Sequence, residues 1–272
     1  MDLSSISLLQ AVVVFVAGIG AGFVNSMAGG GSLMAIAALL FIGMPSTIAN
    51  ATNRVAIVMQ NSVSVGRFRR AGLLDLRDTM TAVVPASLGA IVGTLIAVEI
   101  PEQIFDIALA VVIVLVLITV FLPSPGSRSN SRPNTDSDTD FDATLPALSR
   151  SRPVLFAIAQ GTAFFVVGIY GGFVQSGVGF LLLAVIRWIR GYDLVASNAV
   201  KVSIVVVFGA ISLAIFAVNG MVVWSAGILL GLGTMVGAWL GVHLAIRHGS
   251  GFVRWVVVLS ALAAALRLLG AF

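Results

Sequence analysis

The sequence predicts an all-α, polytopic membrane protein with two inverted-topology repeats, each holding a Gly-rich broken helix or helical hairpin plus three long transmembrane helices. Three observations carry that expectation. Hydrophobic residues make up 59% of the 272 residues and charged residues 10%, with mean hydropathy +1.10, far too little polar surface to coat a soluble domain. Gly18-Ile19-Gly20-Ala21-Gly22-Phe23-Val24-Asn25-Ser26 returns 150 positions later as Gly168-Ile169-Tyr170-Gly171-Gly172-Phe173-Val174-Gln175-Ser176. Finally, twelve of the fourteen arginines fall in segments that fit one side of a bilayer.

The repeat extends along both halves. After a two-residue slip it continues at offset 148, pairing Phe68 with Phe216, Gly72 with Gly220, Gly89 with Gly237, Gly93 with Gly241 and Ala97 with Ala245. Residues 1–122 form the first repeat, with apolar segments at Leu8 to Met27, Ser32 to Ile42, Ile48 to Val65, Met80 to Val98 and Ile104 to Leu122. Residues 154–272 form the second, with segments at Val154 to Gln175, Gly179 to Ile189, Val195 to Ala217, Met221 to Ile246 and Phe252 to Leu269. The second segment of each half is short. Some eleven helical residues cover about 16 Å at 1.5 Å per residue, half of a hydrocarbon core about 30 Å thick. Such a segment either spans or turns back as a re-entrant arm, and the sequence leaves both open.

Between the halves, residues 123–153 are dense in Ser, Pro, Asp, Asn and Arg, which predicts a disordered linker. Arg67, Arg69, Arg70 and Arg77 follow the third segment; Arg128, Arg132, Arg150 and Arg152 lie in the linker; Arg187, Arg190, Arg247 and Arg254 flank later segments. The positive-inside rule makes that side cytoplasmic and places the linker inside, with the N-terminus outside. The matching Gly72 and Gly220 loops then fall on opposite faces, so the halves are inverted, as in transporters whose substrate sits near the midplane. The start Met1-Asp2-Leu3-Ser4-Ser5 lacks a basic region and a small-residue cleavage site, so the first segment is expected to be a retained span of a multi-pass cell-membrane protein.

There is no cysteine, which excludes thiol chemistry and Cys-ligated metals. The net charge of +4 and pI near 10.6 reflect loop arginines that orient the chain, so the expected partners are the lipid bilayer and a small anionic substrate, with no nucleic acid. Oligomeric state is not legible, and a homo-oligomer stays open.

The breaks between long and short helices carry the candidate binding residues. In half one these are Asn25, Ser26, Gly29, Gly30, Gly31 and Ser32; in half two they are Gln175, Ser176, Gly177 and Gly179. Non-helical backbone at membrane depth survives where protein or a water-filled cavity satisfies it. Glycines allow close backbone approach, and a following helix N-terminus offers free N–H groups to an anion. The competing reading is tight helix packing through small residues, which we favour for Gly18/Gly22, Gly89/Gly93 and Gly237/Gly241. Asn25/Ser26 and Gln175/Ser176 admit interhelical hydrogen bonding instead.

The start of each third helix supplies the charge. Asn50-Ala51-Thr52-Asn53-Arg54 aligns with Ser197-Asn198-Ala199-Val200-Lys201, and Lys201, the sole lysine, pairs with Asn53 beside Arg54. A charge inside an apolar span calls for a cavity or a counter-charge, and no in-span acid offers itself. Asn53, Arg54, Asn198 and Lys201 are therefore candidate anion ligands, and Lys201→Ala is expected to abolish anion binding with little effect on folding. The alternative is snorkelling of both cations to headgroups. His243, in the ninth segment, is a candidate for proton coupling or a structural hydrogen bond, and Gln60, Asn61, Ser62 and Ser64 add polar atoms along the third helix.

Enzymatic chemistry lacks its parts: there is no H-E-x-x-H, G-x-S-x-G, close carboxylate pair or P-loop. We expect no enzyme activity, no catalytic residues, no cofactor and no metal. Gly18 to Ser32, the Gly43-Met44-Pro45 turn into Ala51-Thr52-Asn53, the Arg70-Ala71-Gly72-Leu73-Leu74-Asp75-Leu76 loop, and Gly171-Gly172-Phe173 with Gly177-Val178-Gly179 and Asn198-Ala199-Val200-Lys201 resemble the sulfite exporter TauE/SafE family. The resemblance covers both halves and implies export of sulfite or related sulfur oxyanions and sulfonates by alternating access. The half-two tip, poorer in glycine, departs from the half-one pattern. A carrier of small carboxylates and a membrane enzyme or assembly factor are the alternatives.

Overall fold

A computed structural model of the chain describes residues 7–74, 76–107 and 153–268. They form eight helices, which we number α1 (Leu8–Met27), α2 (Gly31–Phe41), α3 (Ser46–Arg70), α4 (Leu76–Glu99), α5 (Pro153–Phe173), α6 (Val178–Arg190), α7 (Leu194–Val218) and α8 (Trp224–Leu268). A further helical stretch covers 102–107, and no strand occurs among the described residues. The rest of the fifth apolar segment and nearly all of the 123–153 linker lie outside them.

Local chemistry explains the helix ends. Ser7 caps α1 by accepting from the Gln10 N–H at 3.2 Å, while the Gln10 side chain accepts from the Ser7 N–H at 2.9 Å. Asp193 caps α7 through the Ala196 N–H at 2.8 Å. Left-handed Gly177 (φ 76°) and Gly191 (φ 67°) bound α6 at its two ends. The sequence expectation put Arg67, Arg69, Arg70, Arg187 and Arg190 after their helices; the structure winds them into the last turns of α3 and α6, where cations complement the helix dipole. Likewise, the ninth and tenth apolar segments form one element, α8, broken at Gly249 (φ 70°, ψ −168°).

Among the described residues, five helices are long and apolar enough to cross a membrane: α1, α4 from Thr79, α5, α7 and α8 up to Val257. Helix α3 is not among them, because Asn50, Thr52, Asn53, Arg54, Gln60, Asn61 and Ser64 line it, yet all seven are buried. A polar helix survives there because other helices sheathe it. Its 25 residues cover about 37 Å, whereas the 11 residues of α2 reach only about 16 Å.

Glycines set the helix neighbours. A Cβ on Gly18 would come within 2.8 Å of the Leu230 carbonyl oxygen, and one on Gly22 would overlap Thr234; Gly237 and Gly241 of α8 return the contact to Ile19 and Phe23. The same lock joins α4 and α5, where Gly168 and Gly172 press on Ala86 and Ala90, and Gly89 and Gly93 on Phe165 and Ile169. Residue numbers rise together across both contacts, so α1 is parallel to α8 and α4 to α5. Each half thus contributes its first long helix to the helix that carries the fourth apolar segment of the other. In the centre, Ala51 clusters with Phe216 while Phe68 clusters with Val195 and Ala199, so α3 and α7 run antiparallel. They meet at mid-length, where a Cβ added to Gly209 would stand 3.6 Å from Ile57 Cγ2.

Candidate functional site

Two helix breaks and two antiparallel central helices build the site. Helix α1 ends at Met27, and Gly29 takes φ +102°, a conformation that L side chains rarely adopt, before α2 begins at Gly31. The Asn25 side-chain N–H donates to Ser32 Oγ across this break at 3.4 Å, and Gly31 lies so close to the Ala21 carbonyl that any Cβ would overlap it. Helix α5 ends at Phe173, and residues 174–177 turn the chain into α6. The two tips meet. Gly29 and Gly179, equivalent at the repeat offset of 150, touch backbone to backbone, and a Cβ on either would overlap the other. Gly30 lies against the Phe180 ring, 2.7 Å from a Cβ position.

Polar side chains from α3 and α7 then satisfy the carbonyls that each broken helix leaves unpaired. On α7, Asn198 Nδ2 donates to the Met27 carbonyl at 2.8 Å, and Lys201 Nζ donates to the Asn25 carbonyl at 2.9 Å and to Asn198 Oδ1 at 2.6 Å. On α3, Asn50 Nδ2 donates to the Phe173 carbonyl at 3.0 Å, while Arg54 donates to the Gly171 and Gly172 carbonyls at 2.7 Å each and to Gln175 Oε1. The Arg54 guanidinium also lies 5.6 Å from the Phe216 ring centroid. The bracing is reciprocal: α3 of the first half grips α5 of the second, and α7 of the second grips α1 of the first. A cation at a helix C-terminus also meets the negative end of its dipole.

Arg54 is 0% exposed and Lys201 2%, and among the described residues they are the buried charged side chains. Snorkelling to headgroups is therefore corrected: desolvated positive charge is held at the centre by carbonyl dipoles rather than by carboxylates. The expectation that Lys201→Ala would hardly affect folding needs the same revision, because the ammonium holds the end of α1. The small residues at the tips are engaged too. Ser26 Oγ donates to the Phe23 carbonyl at 2.9 Å, and the Tyr170 hydroxyl donates to the Ser176 carbonyl.

The structure thus brings together Asn25, Ser32, Asn198 and Lys201 at one break, Arg54 and Gln175 at the other, and the tip glycines between them. Asn53, also 0% exposed, lies next to Arg54 on α3. His243 is elsewhere: it is exposed on α8, stacked on Trp239 with ring centroids 5.7 Å apart, with Nδ1 3.0 Å from an Arg67 nitrogen. Sequence reasoning did not single out Asn50, although its offset of 148 from Asn198 was the available signal. It also passed over Thr94, whose hydroxyl donates to Ser212 Oγ at 2.8 Å; no motif marks that pair.

Comparison with known proteins identifies a family. The family model described as sulfite exporter TauE/SafE matches residues 14–268. A "Probable membrane transporter protein ORF9" from Sinorhizobium sp is 25% identical over 256 residues, covering 94% of this chain and 91% of that protein. A "Probable membrane transporter protein" from Haemophilus influenzae is 26% identical over 248 residues, covering 91% and 89%. The "Probable membrane transporter protein YfcA" of Escherichia coli K12 is 25% identical over 256 residues, covering 93% and 86%. No solved structure matches. With a family match over nearly the whole chain and five described helices long and apolar enough to cross a bilayer, the chain belongs to the sulfite exporter TauE/SafE family of membrane transporters.

Proposed function

We propose that the chain is a secondary transporter of small anions, sulfite or related sulfur oxyanions and sulfonates, that exports them by alternating access between inverted repeats. The observation that carries this reading is the pair of buried cations, Arg54 and Lys201, at the meeting point of two equivalent helix breaks, with no buried carboxylate among the described residues to neutralise them. Such a centre attracts anions and repels cations. The family's description supplies the sulfur oxyanion class. Rocking of one repeat against the other would part the Gly29–Gly179 contact and open the centre to one face at a time.

Flux of labelled sulfite into proteoliposomes is the direct test. Uptake above that of empty liposomes, competed by sulfonates, is expected; no flux of any of these anions under either gradient direction would sink the proposal.

Inverted topology is supported by the antiparallel course of α3 and α7, equivalent helices of the two halves. It puts Ala71 and Asn219, both exposed and equivalent at offset 148, on opposite faces of the membrane. The chain has no cysteine to remove beforehand. In right-side-out vesicles a membrane-impermeant thiol reagent is expected to label Asn219→Cys and to spare Ala71→Cys until the membrane is opened. Equal labelling of both would exclude the inversion.

A further inference from the structure

The reciprocal braces leave one residue over. Arg54 and Lys201 spend their donors on helix-end carbonyls, but Asn53, the repeat counterpart of Lys201, has no partner at either Nδ2 or Oδ1 although it is 0% exposed. It is the one buried side chain among the described residues with two polar atoms so orphaned. The other unpartnered buried atoms among the described residues, Ser46 Oγ, Arg54 Nε, Gln60 Oε1, Arg67 Nε, Ser87 Oγ and Ser176 Oγ, are single atoms, and Gln60 lies about 10 Å further along α3. Buried polar groups are normally hydrogen-bonded, so the two orphaned Asn53 atoms call for a polar occupant.

Their donor and acceptor balance says which kind. Asn53 Nδ2 donates and Asn53 Oδ1 accepts. A fully deprotonated oxyanion offers acceptors alone and would set its lone pairs against the Asn53 amide oxygen. A neutral acid gains nothing from the buried cations. A bound metal cation at that oxygen would lie close to the Arg54 guanidinium of the next residue.

We infer that Asn53 hydrogen-bonds the transported anion directly, and that the accepted species is a singly protonated oxyanion. Its O–H donates to the Asn53 amide oxygen while an ionised oxygen accepts from the amide N–H, and Arg54 and Lys201 supply field rather than primary contact. The inference rests on the anion-transport reading. It also removes the need for a protein carboxylate on a proton route, since the substrate brings its own proton.

The test compares two probes of equal charge and similar size on the same chain in proteoliposomes: hydrogen sulfite, HOSO2−, and methanesulfinate, CH3SO2−, which carries a methyl where the other carries a hydroxyl. Wild type is expected to favour hydrogen sulfite in competition by at least about ten-fold, since a site built to bond a hydroxyl rejects the analogue lacking it. Sulfite uptake should fall as pH rises through the anion's own second ionisation while methanesulfinate uptake stays level; this arm needs no variant. Asn53→Leu is expected to remove the preference, bringing hydrogen sulfite and methanesulfinate to the same level in competition. Equal handling of both probes by wild type, or an unchanged preference in Asn53→Leu, would overturn this inference alone. Absence of uptake of both by wild type would overturn the anion reading with it.

Discussion

Replacing Gly29 with alanine is expected to abolish transport and to lower the melting temperature of the purified protein. Two independent costs add at this position. The backbone sits at φ +102°, which costs a non-glycine residue about 1–2 kcal/mol, and the new methyl would overlap the Gly179 backbone, which has no rotamer to yield. Overpacking of that kind costs about 1–3 kcal/mol. Gly66→Ala is the matching control: Gly66 lies within α3 with open space where a Cβ would stand, so alanine should be neutral or stabilising by up to about 1 kcal/mol. Proteoliposome flux and a fluorescence-detected melt on the two variants separate a tip effect from a general loss of glycine. Wild-type flux in Gly29→Ala would mean that the tips do not need to touch.

The second large effect concerns Lys201. Removing its head group with Lys201→Met leaves the Asn25 carbonyl and Asn198 Oδ1 without their buried donor, at about 1–3 kcal/mol for each group left unsatisfied. Lys201→Gln keeps an N–H donor but discards the charge. Both variants are expected to lose most anion flux, whereas the melting temperature should fall clearly further for methionine than for glutamine. If Lys201→Gln transports at the wild-type rate, the charge is a structural brace alone and the field that attracts the anion must come from Arg54.

How far the sequence could anticipate this site follows from what an offset can encode. The 150-residue and 148-residue repeats located the two tips, and Gly29 and Gly179 do occupy equivalent places. Helix positions were legible because apolar runs ended at Gly, Pro or capping residues such as Ser7 and Asp193. What the offset could not encode was which half each polar side chain serves. Alignment set Lys201 against Asn53, yet the working partner of Lys201 is Arg54, one position on, because both reach across to the opposite break. Pairing across halves depends on the crossing of α3 and α7, which only three-dimensional packing fixes. The sequence offers His243 for proton coupling or a structural hydrogen bond, and in the structure its Nδ1 lies 3.0 Å from an Arg67 nitrogen. Its apolar neighbours place it in a span, but the helix turns it outward, onto Trp239 and Arg67.

The meeting of two equivalent glycines has one more consequence. At the symmetry axis of a homodimer each residue faces its own copy, and a mutation there always changes both sides at once. Here the two equivalent glycines lie in a single chain, so one methyl can be placed at the contact from either side, or two together. A double-mutant cycle over Gly29→Ala and Gly179→Ala, unattainable in a symmetric dimer, would measure how much of the contact's energy is shared between the tips.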